Sequence, residues 1–124
     1  MSALTLRAYA LLLSFESVIR HHDFASLYTR VRNEPIRRHA RPALMSAYVC
    51  EAIDRACAFY FTDVQCLQRS AATVCLFRQL GIAAELVIGA QPLPFRAHAW
   101  VEVNGAVVND KLSATETYAV LDRC

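Results

Sequence analysis

The spacing of apolar residues changes its period once along this chain of 124 residues, at Leu80-Gly81. Before this point apolar residues recur about every three or four positions, as on one face of an amphipathic helix. After it, short segments alternate apolar and polar residues or form brief apolar runs, as strands do. Helices followed by strands, rather than alternating with them, are typical of an α+β domain with an antiparallel sheet packed against helices.

The helical part contains punctuation that sets the helix boundaries. Asp23 is a good N-cap for a second helix, and Gly81 is a natural residue to follow the fourth. Pro35 and Pro42 interrupt the pattern from Asn33 onward, in a stretch that is also basic and is predicted to be a solvated connection. The predicted helices cover residues 3–20, 23–31, 43–61 and 65–80.

The second part predicts a small antiparallel sheet. Its strands are expected over residues 82–90, 98–103 and 106–110, with a last short strand over 118–121. Gln91 to Arg96 contains two prolines and is predicted to be a loop. Asn104-Gly105 is a strong signal for a hairpin turn. We therefore expect one domain over residues 1–124, divided into a helical part, 1–61, and a fourth helix plus sheet, 62–124.

The composition is that of a chain able to bury a core, with 56% hydrophobic and 19% charged residues. The net charge of +2 is too small to indicate nucleic acid as the main partner. No apolar stretch approaches the roughly 18 residues of a membrane span. The apolar run from Ala8 to Leu13 is short, is interrupted by Glu16, and lacks the cleavage site of a signal peptide. The expected location is the cytoplasm.

Five cysteines are present, an odd number, and none has the C-x-x-C spacing of a zinc or redox site. Cys50 and Cys57 would lie roughly 10 Å apart on one helix, beyond the reach of a disulfide at about 7 Å. For most of the five we expect free thiols in a reducing compartment, used as small apolar residues. They are Cys50, Cys57, Cys66, Cys75 and Cys124.

Cys66 differs from the others because it falls in the first turn of the predicted fourth helix. Unpaired backbone amides and the positive end of the helix dipole favour the thiolate there. The same amides could bind an oxyanion formed by attack on a carbonyl. Cys75 should face the opposite way, about half a turn out of phase. Position alone leaves both interpretations of Cys66 open, a core cysteine or a nucleophile.

His98 begins a predicted strand, where a lone histidine is more often only a polar residue. A cysteine nucleophile, however, needs an imidazole to take its proton and a third group to orient that imidazole. Asp110, across the predicted hairpin, is the candidate for the third group.

The hairpin turn decides whether His98 and Asp110 can meet. A two-residue turn at Asn104-Gly105 pairs Ala99 with Asp110, so that His98 and Asp110 point to opposite faces. A three-residue turn with a bulge at Gly105 would instead put them directly opposite each other. We therefore predict the bulged turn, and Asn109 is the alternative orienting residue that the unbulged hairpin would favour.

Other polar residues suggest no site. His21 and His22 are adjacent and cannot face one way along a helix. His39 lies in the basic connection, and no group has the spacing of metal ligands. The arginines from Arg30 to Arg41 are typical of a solvated face, with an acidic peptide or partner as the minority interpretation. No metal and no cofactor is expected.

Three segments in order carry a resemblance to a known family. They are Cys66-Leu67-Gln68-Arg69-Ser70, the run from Leu80 to Gly89, and the run from Ala97 to Gly105. A cysteine on a helix, followed by a histidine and an aspartate on successive strands, resembles the transglutaminase-like and papain-like folds. Together the segments resemble the lasso-peptide biosynthesis B proteins, specifically the peptidase half that forms a separate chain in split systems.

The resemblance implies a cysteine peptidase that removes the leader from a ribosomally made lasso-peptide precursor. It also implies two protein partners, a small leader-binding recognition protein and the ATP-using cyclase that closes the macrolactam ring. The chain length leaves no room for the recognition domain ahead of the helices, so a separate partner is expected. The family's triad corresponds to Cys66, His98 and Asp110, with Gln65 as a weak candidate for a second oxyanion donor.

Three alternatives stay open from the sequence. The first is an acyl-transfer or transglutaminase-type enzyme that uses the same three residues. The second is a non-catalytic scaffold of the same fold that binds the leader or the cyclase. The third is a structural α+β domain without a site.

Overall fold

The computed structural model describes residues 2–37 and 42–124. Within these ranges the strands form one antiparallel sheet in the order β3-β2-β1-β4, which packs against the helices. The predicted α+β class is confirmed. The elements are α1 (Ala3–His21), α2 (Phe24–Asn33), α3 (Pro42–Ala58), α4 (Cys66–Gln79), β1 (Ala84–Pro92), β2 (Phe95–Val103), β3 (Ala106–Val107), α5 (Leu112–Thr115) and β4 (Ala119–Arg123).

The helix ends follow local sequence signals. The Asp23 carboxylate accepts a hydrogen bond from the Ser26 amide at 2.9 Å, which confirms the predicted N-cap of α2. Gly81 has a φ of 87°, the left-handed conformation expected just after α4. Helix α3 ends at Ala58, before the predicted end at residue 61. Residues 38–41 of the predicted basic connection lie outside the described residues.

Helix α4 lies at the centre of the fold. It packs against α1 and α3 on one side and against β1 and β2 on the other. Ten of its fourteen residues are buried, from Gln68 to Arg78 with the exception of Arg69. The facing apolar residues come from both layers: Leu12 and Phe15 of α1, Val49 and Ile53 of α3, and Leu86, Ala99 and Val101 of the sheet. The position of α4 relative to the sheet is therefore fixed along most of its length.

The predicted loop from Gln91 to Arg96 is wrong. Strand β1 continues to Pro92, β2 starts at Phe95, and only two residues, Leu93 and Pro94, connect them. Neither proline interrupts the ladder, because one ends a strand and the other lies in the turn. The prolines mark the turn correctly, but the turn is much shorter than the sequence suggests.

The second face of the sheet is covered by the segment before β4. Trp100 is 2% exposed on this face, and its ring packs 6.3 Å from that of Tyr118. Gly89 lies beneath both, because a Cβ at this position would come within 2.6 Å of the Trp100 ring and 2.9 Å of the Tyr118 Cβ. Glu102 is buried on this face between Trp100 Nε1 and the Arg123 guanidinium.

Candidate active site

Cys66 is the first residue of α4, at the amino-terminal end of the central helix. Cys66 is exposed to solvent, and its thiol forms no disulfide. The N-cap residue, Gln65, makes no side-chain hydrogen bond to the helix. The first backbone amides of α4 therefore have no side-chain cap from Gln65 and stay unpaired within the helix. The sequence predicts such unpaired amides beside a nucleophilic thiol.

His98 lies on β2, and its ring packs against two aromatic rings. Its ring centroid is 5.9 Å from that of Trp100 and 5.3 Å from that of Tyr118. Its Nε2 atom is 2.5 Å from Oδ2 of Asp110. Within residues 2–37 and 42–124 this is the only hydrogen bond of the imidazole, so Nδ1 is left to exchange a proton with another group.

Cys66 and His98 line two neighbouring cavities. The first has a volume of about 170 Å³ and is apolar, with Phe24, Leu67 and Ile88 in its wall. The second, of about 220 Å³, is polar and also includes Asp110. The structure thus brings the three sequence-predicted residues to one cleft.

The environment of Asp110 keeps its carboxyl ionised. Partial burial acts to raise the pKa of this carboxyl, but hydrogen bonds from His98 and from the Lys111 amide lower it. The positive charge of Arg69, which lines the same polar cavity, acts in the same direction. The net pKa lies below the usual range for aspartate, so Asp110 can stabilise a protonated imidazole.

The predicted bulge at Gly105 is wrong. Val103 pairs with Ala106 and Glu102 with Val107 across a two-residue turn. Asn104 and Gly105 have φ angles of 53° and 78°, which is the pattern of a type I′ turn. Strand β3 ends at Val107, and the chain leaves the ladder before Asp110. Asp110 therefore reaches His98 by a departure from the strand rather than by a bulge in the turn.

Asn109 does not orient the imidazole, in contrast to the alternative that the unbulged hairpin would favour. Its amide instead accepts a hydrogen bond from the Val101 backbone at 2.8 Å and donates one to Ser70 at 3.0 Å. Three further residues at this site, Ser70, Arg69 and Tyr118, were not predicted from the sequence. Only the position of Ser70 could have indicated a role there, because it falls one helical turn after Cys66.

His21 and His22 line neither of the two cavities. His21 ends α1 and His22 follows it, while His39 lies outside the described residues. In the described ranges, no group of three or more histidine, cysteine or acidic residues could hold a metal ion. Cys75 is 1% exposed, and burial raises the pKa of its thiol to about 12. It therefore differs from Cys66 in both exposure and chemistry.

None of the helices in the described part of the chain is long and apolar enough to cross a membrane.

The microcin J25-processing protein McjB of Escherichia coli is 39% identical over 56 residues, which is 45% of this chain and 27% of that protein. The match thus spans about a quarter of the relative's length and agrees with the resemblance to lasso-peptide B proteins. No solved structure matches.

A family model described as the transglutaminase-like superfamily matches residues 6–123, which is almost the whole chain. The match includes α4 with Cys66 at its start and the strands that carry His98 and lead to Asp110. With that extent and this arrangement of elements, the chain belongs to the transglutaminase-like superfamily.

Proposed function

We propose that the protein is a cysteine peptidase that removes the leader peptide from a ribosomally made lasso-peptide precursor, before the macrolactam ring closes. The observation that carries this proposal is the 2.5 Å contact between His98 Nε2 and Asp110 Oδ2 in a cleft shared with the Cys66 thiol. The processing role in the name of the E. coli relative supports the choice of a precursor peptide as substrate.

In the proposed mechanism, the Cys66 sulfur attacks the carbonyl carbon at the leader–core junction. His98 takes the thiol proton through its free nitrogen and then gives a proton to the departing amine of the core. Asp110 holds the imidazole by its other nitrogen and stabilises the imidazolium that forms. Water then attacks the thioester, which releases the leader as a carboxylic acid and restores the thiol.

The tetrahedral intermediate needs hydrogen-bond donors for its oxyanion. The Cys66 backbone amide is one candidate, because it lies in the first turn of α4 and has no partner within the helix. The Gln65 side chain is a second candidate, since it is exposed beside Cys66 and does not cap the helix.

Partner proteins are part of the proposal. A separate leader-binding recognition protein would present the precursor, and the cyclase would take the freed amino terminus of the core. The matched stretch covers only 27% of the E. coli relative, so functions of that protein's remaining length would have to come from other polypeptides or regions.

The test compares wild-type protein with Cys66→Ala on a synthetic precursor that contains leader and core, with and without the recognition protein. Mass spectrometry should show free leader and free core only with the wild type. Cys57→Ala, which removes a half-buried thiol on α3, is the matched control and should cleave normally. Equal cleavage by wild type and Cys66→Ala would sink the peptidase assignment.

Membership of the transglutaminase-like superfamily favours one second candidate, an acyl transfer from the same thioester to an amine. The same experiment with an added primary amine separates the two reactions. Hydrolysis gives a leader that ends in a carboxylic acid, whereas transfer gives a leader joined to the amine. A wild-type protein whose Cys66 fails to react with iodoacetamide would instead favour a scaffold that only binds.

A further inference from the structure

Asp110 reaches His98 because the β2–β3 ladder ends in an unusual way. The register that starts at the Asn104-Gly105 turn pairs Val101 with Val108, and continued regularly it would pair Ala99 with Asp110. Residues directly opposite each other share a face of the sheet. A regular strand would therefore turn Asp110 toward the face of Ala99 and away from His98.

The departure occurs at the Val101–Val108 pair. The Val108 amide donates to the Val101 carbonyl at 3.0 Å, as in a regular ladder. The reciprocal hydrogen bond is replaced, because the Val101 amide donates to Oδ1 of Asn109 at 2.8 Å. The Val108 carbonyl accepts instead from the Cys50 thiol at 3.4 Å. The Asn109 side chain thus substitutes for backbone at the point where the chain turns toward Asp110.

The other end of the same amide reaches α4. Asn109 Nδ2 donates to Ser70 Oγ at 3.0 Å, and the Ser70 hydroxyl donates to the Ala99 carbonyl at 3.1 Å. Ser70 is 1% exposed and lies one helical turn after Cys66. Since the Val101 N–H can only donate, the orientation of the amide and the direction of all three bonds are fixed.

We infer that Ser70 and Asn109 are positioning residues that hold the three elements of the active site in register. The inference rests on the proposed function. The two side chains join the helix that begins with Cys66, the backbone of the strand carrying His98 at Ala99 and Val101, and the segment that leads into Asp110. Neither contacts the reacting atoms in this role. A misplacement of about 1 Å among reacting groups can lower a rate by about 10²-fold, which is the effect that the link prevents.

The test is a steady-state comparison of wild type, Ser70→Ala, Asn109→Ala and the double variant on the synthetic precursor. Asn109→Ala should lower kcat by about 10- to 100-fold while KM changes less than about 3-fold. Ser70→Ala should act in the same direction. The double variant should be no slower than about the slower single variant, because both side chains belong to one hydrogen-bonded link.

Asn104→Gly is the matched control. It removes an amide from the turn of the same hairpin, and glycine suits the φ of 53° at this position. It should keep the wild-type kcat. Thermal unfolding of each variant identifies those that are folded at the assay temperature. If Asn109→Ala does not fold, the kcat and KM of Ser70→Ala and Asn109→Ser are compared with those of the wild type instead.

A second readout needs no substrate peptide. The rate of Cys66 carboxamidomethylation by iodoacetamide at neutral pH should fall several-fold in Asn109→Ala, because a displaced His98 no longer takes the thiol proton. A wild-type kcat and a wild-type alkylation rate in folded Asn109→Ala would overturn the inference. If the wild-type protein does not cleave the precursor but the alkylation rate falls as expected, the proposed substrate is wrong and the positioning role stands.

Discussion

The two ends of helix α4 differ in their exposure and in their hydrogen bonds to the rest of the fold. At its carboxyl-terminal end, Arg78 is 7% exposed and donates hydrogen bonds to the backbone carbonyls of Val31, Glu34, Ala84 and Cys124. At its amino-terminal end, Cys66 is exposed, and the N-cap side chain makes no bond to the helix. One end is thus tied to several elements, while the other leaves its backbone amides and its thiol open to a cleft.

The carboxyl-terminal end of α4 thus contributes to stability, and the amino-terminal end carries the proposed chemistry. A buried guanidinium that satisfies four backbone carbonyls on three segments fixes the distance between helices and sheet. The open end can then present unpaired amides without the helix moving, because Arg78 and the buried residues from Gln68 onward hold the rest of α4. A substitution at the carboxyl-terminal end should therefore lower stability and leave activity near that of the wild type. A substitution at the amino-terminal end should lower activity and leave stability nearly unchanged.

The largest effect is expected at the open end. His98→Ala should lower kcat on the synthetic precursor by about 10²–10⁴-fold, because the variant loses its proton acceptor. The urea midpoint should stay close to that of the wild type, since the imidazole is partly exposed and, among the described residues, hydrogen-bonds to Asp110 alone. Cleavage within about tenfold of wild type would remove His98 from the mechanism.

The two cysteines of α4 provide the next largest contrast. An ordinary thiol, with a pKa near 8.5, is about 10% ionised at pH 7.5. Burial raises the pKa of Cys75 to about 12, so its thiolate should be scarcer by a factor of about 10³. Brief treatment of the native protein with iodoacetamide, followed by peptide mapping, should label Cys66 and spare Cys75. Equal labelling of both in folded protein would contradict the contrast.

Arg78→Met should produce the converse of His98→Ala. The variant loses hydrogen bonds to several buried carbonyls, and the free energy of unfolding in urea should fall by about 3 kcal/mol. At a temperature where it stays folded, its kcat should be near that of the wild type. Arg20→Met is the control, because Arg20 forms an exposed ion pair with Glu16 and should cost less than about 1 kcal/mol. A loss in Arg78→Met no larger than that of the control would show that the tied end is not an anchor.

The smallest effect is a dependence of stability on acid, to which Asp110 at the open end contributes. The folded pKa values of Asp110 and Glu102 lie below their ordinary values of 3.8 and 4.5. For a lowered pKa, the stabilisation is complete above the ordinary value and is lost as pH falls through the folded value. The urea midpoint should therefore decrease from about pH 5 downward, as pH falls through the lowered folded pKa values. Asp110→Asn should show a shallower decrease than the wild type, and an unchanged slope would argue against the contact with His98.

Several features of the fold could be predicted because they depend on local signals. The Asp23 cap, the glycine after α4, and the change from helices to strands are each encoded within a few residues. The position of Cys66 at a helix start follows from the same kind of signal. The type of the Asn104-Gly105 turn could have been read from the same dipeptide, since two positive φ angles are its usual conformation.

The bulge prediction failed because the side on which Asp110 lies is changed beyond the turn and not within it. The actual change depends on a side-chain amide that replaces a backbone carbonyl, together with a serine on a distant helix. Contacts between residues 39 positions apart in sequence leave no periodic trace in either segment. The same holds for Arg78, whose charge gives no indication that it is buried among carbonyls of three segments.

Gly89 adds a constraint on which sequences can carry this site. It touches none of the reacting groups, yet any side chain there would collide with Trp100 and Tyr118, the two rings that flank His98. In a saturation mutagenesis library selected for activity, position 89 should consequently accept almost no replacement, although an inspection of the cleft alone would rank it as free to vary. Homology searches that score only Cys66, His98 and Asp110 would miss this requirement, and a glycine aligned with position 89 offers a fourth marker of the proposed site.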